Sequence, residues 1–481
     1  MMVRSAQTLA TSGSKPFSSI SNKSSTGGSS LFVHWFRLTD LRLHDNPALQ
    51  RAVEGAKKDN NNKSSGIVPI FCFDPRVFGD EARSEFGSLK CGPKRARFIL
   101  ESVADLRLQL ERRGSGLVVA HGQTEDVLAK LQKHVDSTNE KIPRLTCQQE
   151  VCSEELAVDK AVRAAISLHH PKSSLDVVWG STLYELDDLP FEDGPHGIPN
   201  TFTPFRNKVE KNCQIPKPIP VPSKADLTLA TFNLDGLERC SLKYMPSLED
   251  LGYTPAQVAE STTHDDRGVM PFTGGETAAL ARVQTYLWDK DLLKVYFDTR
   301  NGMIGPDYST KFAPWLAHGC LSPRYVAREC YKYEQERVAN KSTYWVVFEL
   351  LWRDFFKFFA MKHGNQIFFR GGTSNSDQSW GFNRRVFDAW KEGRTGYPLV
   401  DANMRELAAT GFMSNRGRQN VCSFLAMDLK QDWRYGADYF ESMLLDYDVH
   451  SNWGNWCSGE YNQNLSLAWW VIPLTHARLG G

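Results

Sequence analysis

The sequence predicts two domains of different class, an α/β domain followed by an all-α domain. Up to about residue 187, short apolar runs alternate with helix-length segments, the pattern of a parallel sheet with helices on both faces. From residue 274 onward the strand signals vanish and amphipathic segments follow one another. The length agrees, because 481 residues with 41% apolar content exceed a single hydrophobic core.

Residues 31–36 read as a buried first strand, followed by a helix over 48–58. Residues 67–73 are the second strand. Over 93–113 Phe98, Leu100, Val103, Leu106, Leu108 and Leu110 share a broad apolar face, and Gly114 stops the helix. Strand 117–120, helix 124–135, strand 144–150, helix 154–168 and strand 175–179 complete the domain, 31–187. No Gly-x-Gly-x-x-Gly follows the first strand, so the usual dinucleotide turn is absent. Residues 188–273 read as a connection over the surface, broken by Pro216, Pro218, Pro220 and Pro222. Helices are then predicted over 275–293, 323–340, 343–362, 384–393, 401–410, 416–429 and 436–445.

Composition excludes several classes. The net charge of +1 gives no global basic field, so contact with nucleic acid must come from a local patch. The 10 Cys form no Cys-x-x-Cys pair and no zinc spacing, and read as reduced packing thiols. The apolar run 465–474 is too short to cross a bilayer, so no membrane partner is expected. Residues 1–30 carry Arg4, Lys15 and Lys23, many Ser and Thr, and no Asp or Glu. That composition favours a transit peptide for chloroplast or mitochondrion over a plain Ser-rich tail.

Four stretches carry candidate chemistry. In the run 446–456, Asp446 and Asp448 stand two residues apart, followed by Asn452, Trp453 and Trp456. Carboxylates and an amide can meet the rim of a planar heterocycle, and an indole can stack or pass an electron; a polar turn between helices has the same composition. In 305–315, Ser309, Thr310 and Lys311 open a helix and can hold a diphosphate, or simply cap it. In 343–354, Glu349 and Arg353 are i and i+4 among Phe348, Trp352, Phe355 and Phe356. As a cavity wall, Glu349 would accept from a base edge, Arg353 would hold a phosphate and Trp352 would stack; as a surface salt bridge the pair is worth little. In 411–419, Arg418 is a candidate partner for Asp446, and Arg416 a candidate DNA contact.

Together these runs resemble the photolyase/cryptochrome family. The resemblance rests on His34-Trp35-Phe36-Arg37 with Leu41, Arg42, Asp45, Asn46 and Pro47, on Gly396-Tyr397-Pro398 with Asp401, Ala402 and Met404, and on Asn415-Arg416 with Arg418 and the 446–456 run. Cys152-Ser153-Glu154-Glu155, Trp179-Gly180-Ser181-Thr182 with Tyr184, the 300–312 run and Gln419 resemble its DASH branch. The resemblance runs from about 31 to 456 and implies a Rossmann-like photolyase domain followed by a helical FAD-binding domain, 274–456. It implies that Tyr296, Ser309, Thr310, Lys311, Phe312 and Ala313 line the phosphate and ribityl part of FAD. Asn415, Arg418, Asp446, Asp448 and Asn452 would surround the ring system. Trp456, Trp433 and Trp380 match the electron-transfer positions from flavin to surface, although indoles serve equally as core. Glu349, Trp352, Arg353, Asn415 and Arg416 would meet damaged DNA. Glu150 matches the acidic residue that holds a folate antenna, 5,10-methenyltetrahydrofolate. The implied activity is blue-light repair of cyclobutane pyrimidine dimers, preferentially in single-stranded DNA, by a monomer with non-specific contacts to RNA or duplex DNA. A flavin-binding photoreceptor without repair, or a repair-deficient form, is the alternative.

After Trp456 the resemblance stops. Ser458 stands where the DASH branch carries Tyr, and 457–481 does not follow the family pattern. A truncated or alternatively spliced product is the expectation, with one wall of the lesion pocket missing.

Overall fold

The computed structural model describes residues 30–59, 65–137, 141–169, 173–230, 234, 237–263, 265–374 and 379–461. The expected transit segment up to residue 29, the Ser458 side chain and everything beyond 461 lie outside the described residues.

Five strands form the predicted parallel sheet: β1 (Ser30–Phe36), β2 (Gly66–Phe73), β3 (Val118–His121), β4 (Lys141–Gln148) and β5 (Ser174–Val178). Their order is β5-β4-β1-β2-β3, crossed by α1 (Pro47–Lys58), α2 (Pro93–Glu111), α3 (Thr124–Ser137) and α4 (Ser153–His169). Pro47 at the first helical turn and Asn46, whose side-chain oxygen accepts the Leu49 N–H at 2.9 Å, start α1. The pleat sorts side chains by parity. Leu31, Val33 and Trp35 of β1 face one core with Leu128, Leu131 and Val162. Phe32 and Phe36 face a second core, which passes through Phe98 of α2 into the helical domain without interruption.

The helical domain contains α7 (Glu276–Val283), α8 (Tyr296–Thr299), α9 (Ala313–Ala317), α10 (Pro323–Glu336), α11 (Lys341–His363), α12 (Arg384–Lys391), α13 (Pro398–Thr410), α14 (Asn415–Ser423), α15 (Trp433–Met443) and α16 (Val449–Tyr461). The helix expected over 275–293 is not continuous. It passes from α7 into a wider π-helical turn, Gln284–Asp289, and Asp291 at φ 56° ends it. The helix expected over 416–429 likewise ends in a π-helical turn, Phe424–Asp428. Of the stretch that also read as a polar turn, Asp446 lies in a turn and Val449 onward is α16.

The connection between the domains is the main correction. It contains α5 (Phe202–Asn212), α6 (Pro255–Thr262) and β6 (Cys240–Ser241), which pairs antiparallel with β3. Phe202, Phe205 and Val209 of α5 are buried, so this part is not a surface excursion. Their spacing of three and four residues was the signal, obscured by the prolines that follow.

Buried charges tie the domains together in pairs, the arrangement that low dielectric demands. Asp45, after β1, meets Arg324 Nε of α10 at 3.0 Å. Asp354 of α11 accepts the Leu183 and Tyr184 N–H groups at 2.9 and 3.2 Å. Burial pushes the Asp354 carboxyl up to about 7 although those two bonds pull it down. Gly319 is in the left-handed region at φ 62°, and a Cβ there would stand 1.9 Å from Thr39 O. All ten cysteines are free, and nine of them are buried. Among the described residues no helix is long and apolar enough to cross a membrane, and no group of His, Cys, Asp or Glu could hold a metal ion.

Candidate cofactor and ligand site

One cavity of about 840 Å³ opens in the helical domain, within the range of cofactor sites. It gathers Tyr296, Ser309, Thr310, Lys311, Phe312, Ala313, Glu349, Trp352, Arg353, Asn415, Arg418, Asp446, Asp448, Asn452 and Trp456 on its wall. Arg416, Trp433, Trp380 and Glu150 do not line it.

The loop 305–312 forms its polar end. Arg282 of α7 holds this loop by donating to the carbonyls of Pro306 at 2.8 Å, Thr310 at 3.0 Å and Ser309 at 3.3 Å. Lys311 adopts φ 61° and points its ammonium over the Tyr308 ring, where Nζ donates to Ser309 Oγ at 3.0 Å. The residue is 3% exposed and forms no ion pair among the described residues. Burial, and then the nearby Arg282, bring its ammonium down to about 6. Glu406 and Asp307 favour its charge from a distance, and a buried ammonium with a hydroxyl partner and no direct carboxylate contact among the described residues is a donor set for an anion.

Two acidic residues of the 446–456 run diverge from each other. Asp446 takes Arg418 Nη2 at 2.9 and 2.8 Å, the pairing expected from the sequence. Asp448 begins α16, accepting the Ser451 N–H at 3.4 Å, and contacts His450 and Arg353 Nε, the latter at 3.3 Å. Burial alone would raise the Asp448 carboxyl, but His450, Arg353 and Lys357 surround it and hold it well below the usual carboxylate range. One turn on, Asn452 Nδ2 donates to Ala437 O at 3.0 Å, which leaves its side-chain oxygen as the group available to a ligand.

α11 forms the opposite wall. Asn340 caps it, accepting from the Ser342 and Thr343 N–H groups at 2.8 and 3.1 Å. Glu349 and Arg353 share a face as expected, but they do not pair. Glu349 Oε1 takes Arg300 at 2.9 Å and the Trp345 N–H at 3.0 Å. Arg353 instead meets Asp448 and donates to Ser181 O and, at 3.4 Å, Leu316 O. It is therefore committed inside the protein and not free for a phosphate. Trp352 has one face covered by Phe202 of α5, with centroids 3.7 Å apart and planes at 12°. Such a stack adds about 1 kcal/mol.

Of the remaining expected residues Trp456 is on the wall, and Arg416, Trp433, Trp380 and Glu150 lie outside it. Arg416 is at the rim, donating to Gln419 at 2.9 Å and to Asn301 at 3.0 Å. The Trp456 ring rests against Gly436 of α15, where a Cβ would meet it at 2.4 Å. Trp433 opens the same helix. Its N–H donates to Arg370 O at 3.4 Å, and Arg370 donates to Trp380 O at 2.6 Å. Trp380 is 6% exposed among the described residues, so the last of the three indoles lies just beneath the surface rather than on it. Glu150 is taken up within the protein. It accepts from Thr39, from Gln148 at 3.2 Å and from Lys357 of α11 at 3.0 Å. Burial opposes its charge, yet Lys357 and Arg37 draw its carboxyl down to about 2. Sequence reasoning missed Arg300, Trp345, His450 and Lys357 as partners: Arg300 and Lys357 reach their acids from other elements, whereas Trp345, four residues before Glu349 on α11, and His450, two residues after Asp448, were signalled by local spacing.

An α/β sheet joined to a helical domain with this cavity is the architecture of a known class. Residues 32–223 match the family model described as DNA photolyase, and residues 345–470 match the FAD binding domain of DNA photolyase. The chain is 48% identical over 443 residues to the cryptochrome DASH, chloroplastic/mitochondrial, of Ostreococcus tauri, covering 90% of this chain and 78% of that one. It is 48% identical over 423 residues to the cryptochrome DASH of Gloeobacter violaceus, covering 88% and 77%. The crystal structure of a Synechocystis cryptochrome superposes with a TM-score of 0.80 at 42% identity, covering 94% of this chain and 86% of the other. The chain belongs to the photolyase/cryptochrome family and, within it, to cryptochrome DASH. It is a flavoprotein of that family, with its FAD-binding domain in the helical half. The cavity suits such a group: Lys311, without an ion pair among the described residues, calls for an anion, and Asn452 offers an acceptor on the same wall as the Arg418–Asp446 pair.

Proposed function

We propose that the protein repairs cyclobutane pyrimidine dimers under blue light, preferentially in single-stranded DNA. One observation carries the reading: an anion-holding loop and an acidic, aromatic wall face the same cavity. FAD, when bound and reduced, supplies the light absorption and the electron that ring splitting requires. Lys311, Ser309 and Thr310 would hold its diphosphate, beside Tyr296, Phe312 and Ala313. Arg418, Asp446, Asp448, Asn415 and Asn452 would face its ring system, with Arg353 and His450 fixing Asp448.

The chain's own work is binding, orientation and exclusion of water. Glu349 offers its second oxygen to an imide N–H of the lesion, Trp352 on the cavity wall would stack against a base, and exposed Asn415 adds amide contacts at the mouth. Arg416 at the rim is placed for a strand phosphate. A dimer must leave the base stack to enter, which costs a few kcal/mol in duplex and less in a single strand. A folate antenna at Glu150 would share this carboxylate with Thr39, Gln148 and Lys357. The relatives named chloroplastic/mitochondrial, with the acid-free segment 1–30, support import into one of those organelles.

A photoreceptor without repair would use the same cavity, and the covered face of Trp352 favours it. Repair of a dimer-containing single strand under blue light, by protein with full flavin content, separates the two. The native chain should restore the pyrimidines, and Glu349→Gln should slow repair about tenfold or more through the lost charge-assisted bond. A fully flavinated native chain that splits no dimers would leave the photoreceptor reading. Trp380→Phe should retain FAD and slow flavin photoreduction; an unchanged rate would make this indole a packing residue only.

A further inference from the structure

We propose that Arg300 and Trp345 are positioning residues that hold Glu349 with one carboxylate oxygen engaged and the other presented to the lesion as an acceptor. This rests on the reading of the cavity as a lesion site and assigns the part that orients its acid. The two donors converge on a single atom. Arg300 Nη1 reaches Glu349 Oε1 at 2.9 Å and Trp345 Nε1 reaches it at 3.0 Å. Oε2 takes no donor among the described residues, and Glu349 and Arg300 both line the cavity.

The donors are themselves held. The guanidinium lies 5.1 Å over the Trp345 ring and 5.8 Å over Phe297, and those two rings meet edge to face at 4.7 Å. Lys341 caps the same rings, 3.5 Å from Phe297 and 5.4 Å from Trp345. Arg300 is thus fixed by aromatic faces and aimed at one oxygen. A mobile surface ion pair would spend its attraction on ordering two long side chains; here the order is already built in. The bidentate fork that would occupy both carboxylate oxygens is not formed, which leaves the acid half-used.

The groups facing Glu349 are Arg300 after α8, Tyr296 of α8 and Trp345 on its own helix. Arg353, one turn on, is committed to Asp448, and Arg206 of α5 lies over Phe348 and pairs with Glu210. Burial raises the Glu349 carboxyl, while Arg300 and then the Trp345 N–H pull it back. Removing Arg300 therefore lets the acid take its proton at higher pH. Binding that needs the ionised acceptor is present above that pH and lost as pH falls through it.

Two measurements test this on full-length holoprotein. The first follows the Glu349 carboxyl by ¹³C NMR with labelled glutamate, using Glu349→Gln to assign the signal. The midpoint should move up in Arg300→Gln, move up less in Trp345→Phe, and return most of the way in Arg300→Lys. The second measures dark binding of a thymine-dimer oligonucleotide and its undamaged counterpart against pH. Arg300→Gln should lower dimer affinity about tenfold at neutral pH, shift the acid limb upward, and leave undamaged-strand affinity and flavin content unchanged. An unmoved Glu349 midpoint would overturn the proposal. So would an equal loss for damaged and undamaged strands with a shallower salt dependence, which would make Arg300 a phosphate contact. If the native protein does not distinguish the two strands, the lesion-site reading fails, and with it the proposed presentation to a lesion, even where the titration confirms the clamp.

Discussion

Replacing Lys311 by methionine should stabilise the flavin-free chain and, at the same time, weaken its hold on FAD. The opposite signs follow from one fact: the ammonium is buried with Ser309 Oγ as its hydrogen-bond partner, and Glu406 and Asp307 act on it without an ion-pair contact among the described residues. Without an anion the cation is a desolvation penalty, and its titration near 6 means that it is largely neutral at pH 7.5. An arriving diphosphate favours the charged form and should draw a proton onto Lys311. Binding above pH 6 should therefore take up as much as about one proton, seen as a dependence of calorimetric heat on buffer ionisation enthalpy. Methionine abolishes that uptake and removes a charge-assisted bond of about 1.5–3 kcal/mol, roughly ten- to a hundredfold in affinity. Proton uptake that survives the substitution would assign the titrating group elsewhere.

Replacing Arg418 by methionine should cost the folded chain about 3 kcal/mol and release flavin during purification. Asp446 is almost fully buried and takes both of its short contacts from this guanidinium, so the substitution leaves a buried carboxylate without its counter-charge. The double variant Arg418→Met with Asp446→Asn removes both charges. It should recover much of the stability, read by urea unfolding of flavin-free protein, yet remain poor at retaining FAD. Recovery of flavin in the double variant would show that the pair serves packing alone. Flavin loss without any change in urea midpoint would show that the pair acts only on the ligand.

Much of this protein is legible in its sequence for local reasons. The parity of Leu31, Val33 and Trp35 against Phe32 and Phe36 sorts β1 between two cores before any tertiary contact is known. Pro47, Pro93, Pro323 and Pro398 each stand in the first turn of a helix, where a missing N–H costs nothing. The Ser309–Lys311 donors and the 446–456 acids became legible only through the family resemblance, because a helix cap and a polar turn use the same residue types.

Partnership was not readable in the same way. Glu349 and Arg353 are neighbours on one helix face, but the fold brings Arg300 to the first and Asp448 to the second, while Trp345 reaches Glu349 from four residues earlier on the same helix. The expected Arg418–Asp446 pair formed, although its members lie 28 residues apart. The connector looked irregular because prolines follow Val209, yet Phe202 and Phe205 fold back onto α11 and one covers Trp352. Periodicity and capping act between residues within a few positions of each other, so the sequence alone determines elements and faces. Which buried charge meets which is decided by the tertiary structure, because in a low-dielectric interior an ion pair follows distance in space, and only the packed fold sets that distance.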